Sequence, residues 1–406
     1  MENKIICEVV MNRKFDQIMF REIKIKSITL RVIDILFLFC ITVIGFLIRF
    51  SMRHIESGDW TGSFTDWLNF ITENGGFRAL AMDSFEYEYN CLYMYLLCLI
   101  SYIKSPFSAM YWLKLASVVF DYFIAFIIFL MIHHLTGDRR RAILAYAVTL
   151  AFPTIALNSG AWAQCDSMYT SFLILCLYFI LKDKSFPALL CVGISFAFKL
   201  QATFFLPFLL IMWLKGKVKL RHFLILPVPL FISILPVLFM GRDISFLLGR
   251  YLEQSQAYPN ALTVSYPNIY VIFESNDITG YAASACLLFT ISLFGCLAYY
   301  IYTQNFRLNA EIILLIALFT TAVGVYFLPH MHERYGYIVD LLAIIYGFYH
   351  IRKLYFIIGF GLVSVLSYIP YLFKASVVPR YYPAMLMLVL IVLVGYDLYK
   401  AVLQQR

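Results

Sequence analysis

Long apolar runs alternate with short polar segments along almost the whole chain, and this alternation predicts a bundle of membrane-spanning helices. A hydrocarbon core of about 30 Å needs about 20 apolar residues per helix, and somewhat fewer at thin or angled positions. We place twelve such runs, at residues 32–50, 112–134, 142–157, 167–181, 187–198, 201–214, 222–240, 281–302, 311–328, 335–350, 354–372 and 384–400. The fold class is therefore predicted as an all-α polytopic membrane protein with about 12 transmembrane helices.

The segment between the first two runs, residues 51–111, contains two further apolar pieces that do not fit a crossing. Tyr89–Ile103 is short for a span. Counting it as one would put the arginine run at 139–141 outside, against the cytoplasmic preference of Lys and Arg. Phe64–Thr72 has apolar side chains at i, i+3, i+4 and i+7, which is typical of an amphipathic helix. We predict a long first outer loop with two helices lying along the membrane.

The composition agrees with a membrane location, because 62% of the 406 residues are hydrophobic and only 14% are charged. The net charge of +8 indicates topology rather than a nucleic-acid partner, since the basic residues gather between apolar runs. These groups are Lys24–Arg31, Arg139–Arg141, Lys182 with Lys184, Lys215–Arg221 and Arg352 with Lys353. We take them as cytoplasmic, which puts both termini in the cytoplasm.

The N-terminal segment and the cysteines decide whether a signal peptide, a disulfide framework or a zinc site is predicted. The basic N-terminal segment, residues 1–31, runs directly into a full-length span, so no cleavable signal peptide is predicted. The nine cysteines occur singly without a CxxC motif. This pattern indicates neither a disulfide framework nor a zinc site.

Four polar segments outside the first loop fall on the same predicted outer face. They are Asn158–Asp166, the Lys199 and Gln201 pair between two short helices, residues 241–280, and Pro329–Arg334. An ionisable group at the centre of a membrane helix costs about 2.5–3.5 kcal/mol on insertion scales. Asp166 and Lys199 are flanked by apolar residues, so this cost favours a functional role over an idle one. A helix N-terminal charge for Asp166 and snorkelling for Lys199 are the structural alternatives.

Six short motifs follow one another through these polar segments. They are Gly58-Asp59-Trp60 with Trp67, Tyr87-Glu88-Tyr89-Asn90, Trp162-Ala163-Gln164-Cys165-Asp166, Phe198-Lys199-Leu200-Gln201 with Pro207, Tyr266-Pro267-Asn268 and His332-Glu333-Arg334. Over roughly residues 30–335, their order resembles the GT-C superfamily of polyprenyl-phosphate-sugar-dependent glycosyltransferases. The branch of dolichol-phosphate-glucose glucosyltransferases, GPI-anchor mannosyltransferases and their bacterial relatives is the most similar.

The resemblance has two departures, and both fall in the first outer loop. The family's Asp-Tyr-Pro-Pro-like element reads Glu88-Tyr89-Asn90 here, without prolines, and the loop contains no Asp-x-Asp. No metal site is therefore carried over, no cofactor is expected, and use of a divalent metal is left open.

The resemblance implies a GT-C-like catalytic module at 32–350, followed by C-terminal transmembrane helices at 351–406. It implies transfer of one sugar from a polyprenyl-phosphate donor to a hydroxyl of a glycolipid or cell-surface polymer. The short form favours a bacterial plasma-membrane protein with its active site on the outer face. Membrane lipids are expected partners, and nucleic acid is not.

The resemblance and the needs of this reaction also assign roles to individual residues. Asp59 matches the family's catalytic carboxylate in the first loop and is the expected general base, with Asp66, Glu86 and Glu88 as alternatives. The expected phosphate-binding residues are Lys199, Arg334 and His332. The expected sugar or acceptor contacts are Trp60, Trp162, Gln164, Asp166, Gln201, Tyr266, Asn268 and Glu333. Direct attack on the donor predicts an inverting reaction.

Two other classes of membrane protein share parts of this pattern. A polysaccharide polymerase or ligase also has large outer loops, but typically places its major loop late in the chain and uses an arginine-rich site. A lipid-linked sugar flippase or other transporter predicts internal repeats with paired broken helices. The chain has one such short pair, 187–214, and no second copy.

Overall fold

The computed structural model describes residues 14–25, 28–256, 258, 261–273 and 280–405, and these are almost entirely helical. The α-helices are α1 Val32–Ser51, α2 Thr65–Glu73, α3 Cys91–Ser101, α4 Ala109–Thr136, α5 Arg139–Ala151, α6 Pro153–Leu157, α7 Asp166–Leu181, α8 Ser185–Phe198, α9 Leu206–Leu214, α10 Val228–Phe239, α11 Ile244–Gln256, α12 Gly280–Thr303, α13 Ala310–Phe327, α14 Tyr337–Tyr349, α15 Tyr355–Phe373 and α16 Tyr381–Leu403. Short 3₁₀ helices cover Gly76–Ala81, Leu200–Phe205, Leu220–Ile225, Ile269–Ile272 and Ile351–Lys353, and π-helical turns cover Trp60–Phe64 and Asn158–Trp162.

Two small sheets complete the described structure. Strands β1 (Glu22–Ile25) and β2 (Ile28–Arg31) pair antiparallel just before α1. Strands β3 (Thr263–Val264) and β4 (Met331–His332) pair in parallel, with Val264 opposite His332. The second pair joins two chain segments that the sequence keeps far apart, and it lies beside the cavity described below.

Seven helices of the described residues are long and apolar enough to cross a membrane, so the chain is a multi-pass membrane protein. They are Val32–Ser51, Ala109–Thr136, Leu220–Phe239, Tyr281–Thr303, Ala310–Phe327, Ile351–Phe373 and Tyr381–Leu403. An eighth span results if Arg139–Ala151 and Pro153–Trp162, bent by 46°, cross together. The shorter apolar helices are Cys91–Ser101, Asp166–Leu181, Ser185–Phe198, Leu200–Leu214 and Tyr337–Tyr349. Eleven of the twelve predicted runs each coincide with one of these helices, and the run at 142–157 covers the two helices of the bent pair.

The loop that joins α1 to α4 folds around a second apolar core, which it shares with neighbouring helices. The predicted apolar stripe of α2 is buried, and Ile71 is completely covered. Its neighbours include Phe85 and Tyr93 of the same loop and Ile234 of α10. The stripe therefore packs against protein, which fixes the loop relative to the helix bundle.

A buried ion pair fastens α1 to α4. The Arg49 Nε lies 2.7 Å from Asp121 Oδ2, and both side chains are almost fully buried. The Ser159 hydroxyl donates a hydrogen bond of 2.5 Å to the same oxygen, and Tyr337 donates one of 3.2 Å to Oδ1. This charge pair is well supplied with hydrogen bonds, as a buried pair requires.

The helices break where the polar motifs lie. Pro153 occupies the first turn of α6, where the missing N–H costs no helical hydrogen bond, and the chain bends there. The π-helical turn that follows ends at Ala163, whose φ of 66° is left-handed. The extended backbone of Lys199 ends α8. The last two breaks each bring a polar side chain, Gln164 and Lys199, to the cavity described below.

Candidate active site

A cavity of about 530 Å³ lies between the loop that joins α1 to α4, the break after α8, α11 and the segment around β4. Such a volume is in the usual range of small-molecule sites. Its lining contains charged groups of both signs and several aromatic rings. The lining residues are Asp59, Ser63, Phe64, Trp67, Glu88, Tyr89, Gln164, Lys199, Leu200, Gln201, Arg250, Glu253, Gln254, Tyr258, Val264, Ser265, His332, Glu333, Arg334, Tyr335 and Tyr371.

The loop after α1 brings Asp59 to this cavity. Ser57 is buried and donates a hydrogen bond of 2.8 Å to the backbone carbonyl of Trp162. Two residues later, Asp59 remains one quarter exposed on the cavity wall. The carboxylate is thus anchored by its neighbour and still accessible.

Three hydrogen bonds fix the orientation of the Asp59 carboxylate. Trp162 donates its indole Nε1–H to Oδ2 at 2.9 Å, and the Gln164 amide donates to the same oxygen. Tyr371 donates its hydroxyl to Oδ1 at 2.6 Å. Trp162 and Gln164 can both face Asp59 because Ala163 between them has a left-handed backbone.

These donors, together with one cation, keep Asp59 ionised. Burial raises the pKa of Asp59, but the Arg334 guanidinium and the hydrogen bonds from Tyr371, Trp162 and Gln164 outweigh it. The net result is a pKa below the ordinary value for an aspartate. At neutral pH the group is a carboxylate that can accept a proton.

A second carboxylate, Asp166, lies in the first turn of α7 and is fully buried. The Lys199 ammonium lies 2.5 Å from its Oδ1, and the Asn158 amide donates to Oδ2 at 2.9 Å. Arg334 approaches the same carboxylate, with Nε at 3.6 Å from Oδ2. The predicted Asp166 and Lys199 are therefore partners of each other.

Arg334 connects the two carboxylates. Its Nη1 lies 3.7 Å from Asp59 Oδ2 and 3.3 Å from Glu333 Oε1. Its Nε is buried and has no hydrogen-bond partner among the described residues. Burial lowers the pKa of Arg334, but the surrounding carboxylates raise it well above the usual range, so the side chain stays charged. Arg334 is therefore a buried cation whose Nε–H can still donate a hydrogen bond.

The two residues before Arg334, His332 and Glu333, have pKa values shifted against their charged forms. Burial and the positive charges of Arg334 and Lys199 lower the pKa of His332 to about 3. Its imidazole is therefore neutral at pH 7. Burial raises the pKa of the Glu333 carboxyl. Both side chains contact the cavity, His332 as a neutral ring and Glu333 as a weaker acid than usual.

Not every predicted site residue reaches the cavity. Gln201 does, and it donates a hydrogen bond of 2.6 Å to the Tyr335 hydroxyl. Trp60 packs at the edge of the loop's apolar core instead. Tyr266 is buried in the main core, and Asn268 caps the following 3₁₀ turn by accepting a hydrogen bond from the Tyr270 amide. The structure does not bring these three side chains into the cavity. Trp162 and Asp166 are fully buried and contact the cavity residues Asp59 and Lys199 without lining the cavity themselves.

The cavity also contains residues that no sequence motif indicated, and Tyr371 and Arg250 are two of them. Tyr371 follows Pro370 near the end of α15, in the part of the chain without a motif. Arg250 lies on α11 within the long loop at 241–280 and donates to the carbonyl of Tyr87 at 3.0 Å. A proline near the end of an apolar run was the available hint for Tyr371, and it specifies no partner.

The cavity lining contains both carboxylates and cations. Within the described ranges, no group of three or more His, Cys, Asp or Glu side chains is arranged to hold a metal. The carboxylates are instead interleaved with Lys199 and Arg334. This arrangement can hold a phosphate near the two cations and take a proton from a hydroxyl at Asp59. No protein-family model matches the chain, and no curated protein sequence matches it significantly.

Proposed function

We propose that this protein is an integral-membrane glycosyltransferase that moves one sugar from a polyprenyl-phosphate donor to a hydroxyl of a glycolipid or cell-surface polymer. The observation that carries the proposal is the joint placement of Asp59, Lys199 and Arg334 around one cavity of a multi-pass membrane protein. Asp59 can accept a proton, and Lys199 and Arg334 can neutralise the charge of a phosphate. The sequence resemblance to GT-C glycosyltransferases supports the same reaction.

In the proposed reaction, Asp59 is the general base. The acceptor hydroxyl gives its proton to the Asp59 carboxylate while its oxygen bonds to the anomeric carbon of the sugar. The bond from that carbon to the phosphate oxygen breaks, and its electron pair leaves with the polyprenyl phosphate. Direct displacement inverts the anomeric configuration. Positioned proton transfer of this kind contributes about 10²–10⁴ in rate.

Lys199 and Arg334 are proposed to hold the departing phosphate. Among the described residues, Lys199 donates one hydrogen bond of its possible three, to Asp166, and the buried Arg334 Nε donates none. A phosphate supplies acceptors for these donors. Its negative charge increases as the sugar leaves, and fixed cations in a buried site stabilise that increase. Gln164 and Glu333 are proposed to contact sugar hydroxyls.

The proposed architecture is a GT-C-like bundle of about 12 transmembrane helices, with two interfacial helices in the first outer loop. The coincidence of the twelve runs with helices supports it. We propose cytoplasmic termini and an active site on the outer face on the basis of the basic clusters, and a bacterial plasma membrane on the basis of the family resemblance. Residues 32–350 then form the catalytic module and 351–406 the C-terminal helices.

The proposal is tested by sugar transfer from a panel of synthetic radiolabelled polyprenyl-phosphate sugars into membrane lipids and polymers. Purified wild type is compared with Asp59→Asn, and with Asp66→Asn as a matched control. Asp66 is exposed on α2 of the same loop and does not line the cavity. We expect Asp59→Asn to lose at least about 100-fold in rate. Donor binding by this variant and transfer by Asp66→Asn should stay near wild type.

The proposal fails if the wild type uses no donor in the panel. Equal transfer by Asp59→Asn and wild type would remove Asp59 as the base and move the search to Glu88, the other cavity carboxylate among the alternatives. A product with retained anomeric configuration, determined by NMR, would contradict direct displacement.

A further inference from the structure

Two stacked aromatic rings face the Asp59 carboxylate. The rings of Trp162 and Tyr371 lie 4.4 Å apart at an interplanar angle of 12°. Their polar ends donate to different oxygens of Asp59, Trp162 to Oδ2 and Tyr371 to Oδ1. Arg334 lies over the outer face of Trp162 at 5.5 Å, and Lys374 over that of Tyr371 at 5.0 Å. The stack therefore fixes the plane of the carboxylate through both oxygens.

The two oxygens of Asp59 differ in how many hydrogen bonds they accept. A carboxylate offers about four lone-pair positions, two on each oxygen. Oδ2 receives the hydrogen bonds of Trp162 and Gln164, which fill it. Oδ1 receives one hydrogen bond among the described residues, from Tyr371. A proton arriving from the cavity thus has its free position on Oδ1, beside the Tyr371 hydroxyl.

We infer that Tyr371 is a positioning residue for Asp59, and that its hydroxyl orients Oδ1 as the atom that accepts the proton. The inference rests on the proposed function and assigns the end of α15 to the active site. Tyr371 does not replace the base. It determines where the base's free lone pair points.

Gly58 makes this contact sterically possible. A Cβ at position 58 would lie 2.8 Å from the Tyr371 hydroxyl oxygen, closer than real Cβ contacts allow. The φ of Gly58 is outside the left-handed region, so alanine can adopt its backbone. Gly58→Ala therefore displaces the hydroxyl without removing it and provides a second way to break the contact.

The contact has a pH signature because several groups determine the pKa of Asp59. Burial raises it, whereas Arg334 and the hydrogen bonds from Tyr371, Trp162 and Gln164 lower it. Glu88 also faces Asp59 across the cavity, and the negative charge of Asp59 contributes to the raised pKa of Glu88. Loss of the Tyr371 hydrogen bond removes one lowering cause, so the pKa of Asp59 must rise.

The experiment measures sugar transfer by the purified full-length protein as a function of pH, for wild type, Tyr371→Phe and Gly58→Ala. Tyr396→Phe is the matched control, because Tyr396 is exposed on α16 away from the cavity. We expect Tyr371→Phe to lower kcat by about tenfold or more, as misplacement of a catalytic group does. The acid limb of kcat/KM should move to higher pH, and KM for the donor should stay within about twofold.

Gly58→Ala is expected to reproduce the fall in kcat and the direction of the pH shift. A shift that persists when Glu88→Gln is added identifies Asp59 as the titrating group. Wild-type kcat and an unmoved acid limb in Tyr371→Phe would overturn the positioning role, while transfer by the wild type would leave the proposed function standing. If the wild type transfers from no donor, the proposed function and this inference fall together.

Discussion

At the scale of single residues, the site depends on a backbone conformation that alanine adopts reluctantly. Ala163 is buried and has a φ of 66°, a region in which side-chain-bearing residues are strained. This turn allows Trp162 and Gln164, two positions apart, to donate to the same Asp59 oxygen. The strain is thus located between two residues that orient the candidate base.

Ala163→Gly should relieve this strain and leave stability unchanged or higher by up to about 1 kcal/mol. Ala161→Gly is the matched control, because Ala161 lies in the preceding helical turn without a positive φ. It should cost about 1 kcal/mol, the usual effect of glycine in a helix. Thermal unfolding of both variants measures the difference. A destabilisation of Ala163→Gly as large as that of Ala161→Gly would contradict the strain argument.

The sequence identified those site residues whose chemistry is unusual in an apolar setting. Asp59, Lys199 and Arg334 stand out because a charged group near lipid is energetically costly, and all three line the cavity. Tyr371 does not stand out, since a tyrosine in an apolar helix fits simple packing as well. Its partner lies 312 positions earlier, and no local pattern encodes that distance.

Trp60, Tyr266 and Asn268 show the opposite error, because they were predicted as site contacts and do not line the cavity. Their positions in polar motifs predicted site contacts, but a motif does not fix the direction of a side chain. Asn268 uses its amide oxygen to cap the next turn, as asparagine commonly does. The ring of Tyr266 is buried in the core. Neighbouring positions in a loop can therefore serve structure while others face the cavity.

At the scale of elements, two buried arginines, Arg242 just before α11 and Arg250 on it, attach this part of the chain to the loop that joins α1 to α4. Arg242 donates to the carbonyl of Phe85 at 3.0 Å, and Arg250 donates to that of Tyr87 at 3.0 Å. The guanidinium groups of Arg242 and Arg250 also lie over the Phe246 ring, at 3.5 Å and 3.6 Å from its centre. These contacts hold the loop segment that carries Glu88 against α11.

Arg250→Gln should loosen that segment, because it removes a charged donor to a backbone carbonyl. Such hydrogen bonds contribute about 1.5–3 kcal/mol, which corresponds to about tenfold or more in local opening. Hydrogen exchange measured by mass spectrometry should show faster exchange in residues 82–90. Arg221→Gln, at an exposed position on Leu220–Ile225, is the control and should leave these residues unchanged. Equal exchange in both variants would show that Arg250 does not restrain the loop.

Hydrophobic periodicity predicted the helices but not the places where they break. Every predicted run is helical, and all but 142–157 coincide with a single helix, since length and apolar content are local properties. The 46° bend at Pro153 and the π-helical turn at Asn158–Trp162 interrupt an otherwise apolar stretch. Such irregularities depend on the packing of neighbouring helices, which one segment of sequence does not contain.

At the scale of the whole molecule, the orientation in the membrane decides which compartment supplies the acceptor. The proposed orientation puts Asp83 outside and Lys184 inside, and both residues are exposed. Asp83→Cys should therefore react with a membrane-impermeant maleimide in intact cells, above the labelling of the wild type. Lys184→Cys should react only after permeabilisation. The reverse pattern would invert the proposed topology.

The Arg49–Asp121 ion pair also constrains the biogenesis of the protein. The two residues are 72 positions apart. At synthesis rates of about 5–20 residues per second, Arg49 therefore emerges roughly 4–14 s before its counter-ion. Until then the arginine at the end of α1 snorkels to the membrane surface. The arrival of α4 neutralises it and draws together both ends of the loop that carries Asp59. Insertion of α4 is thus the step at which the two ends of this loop are first joined by an ion pair.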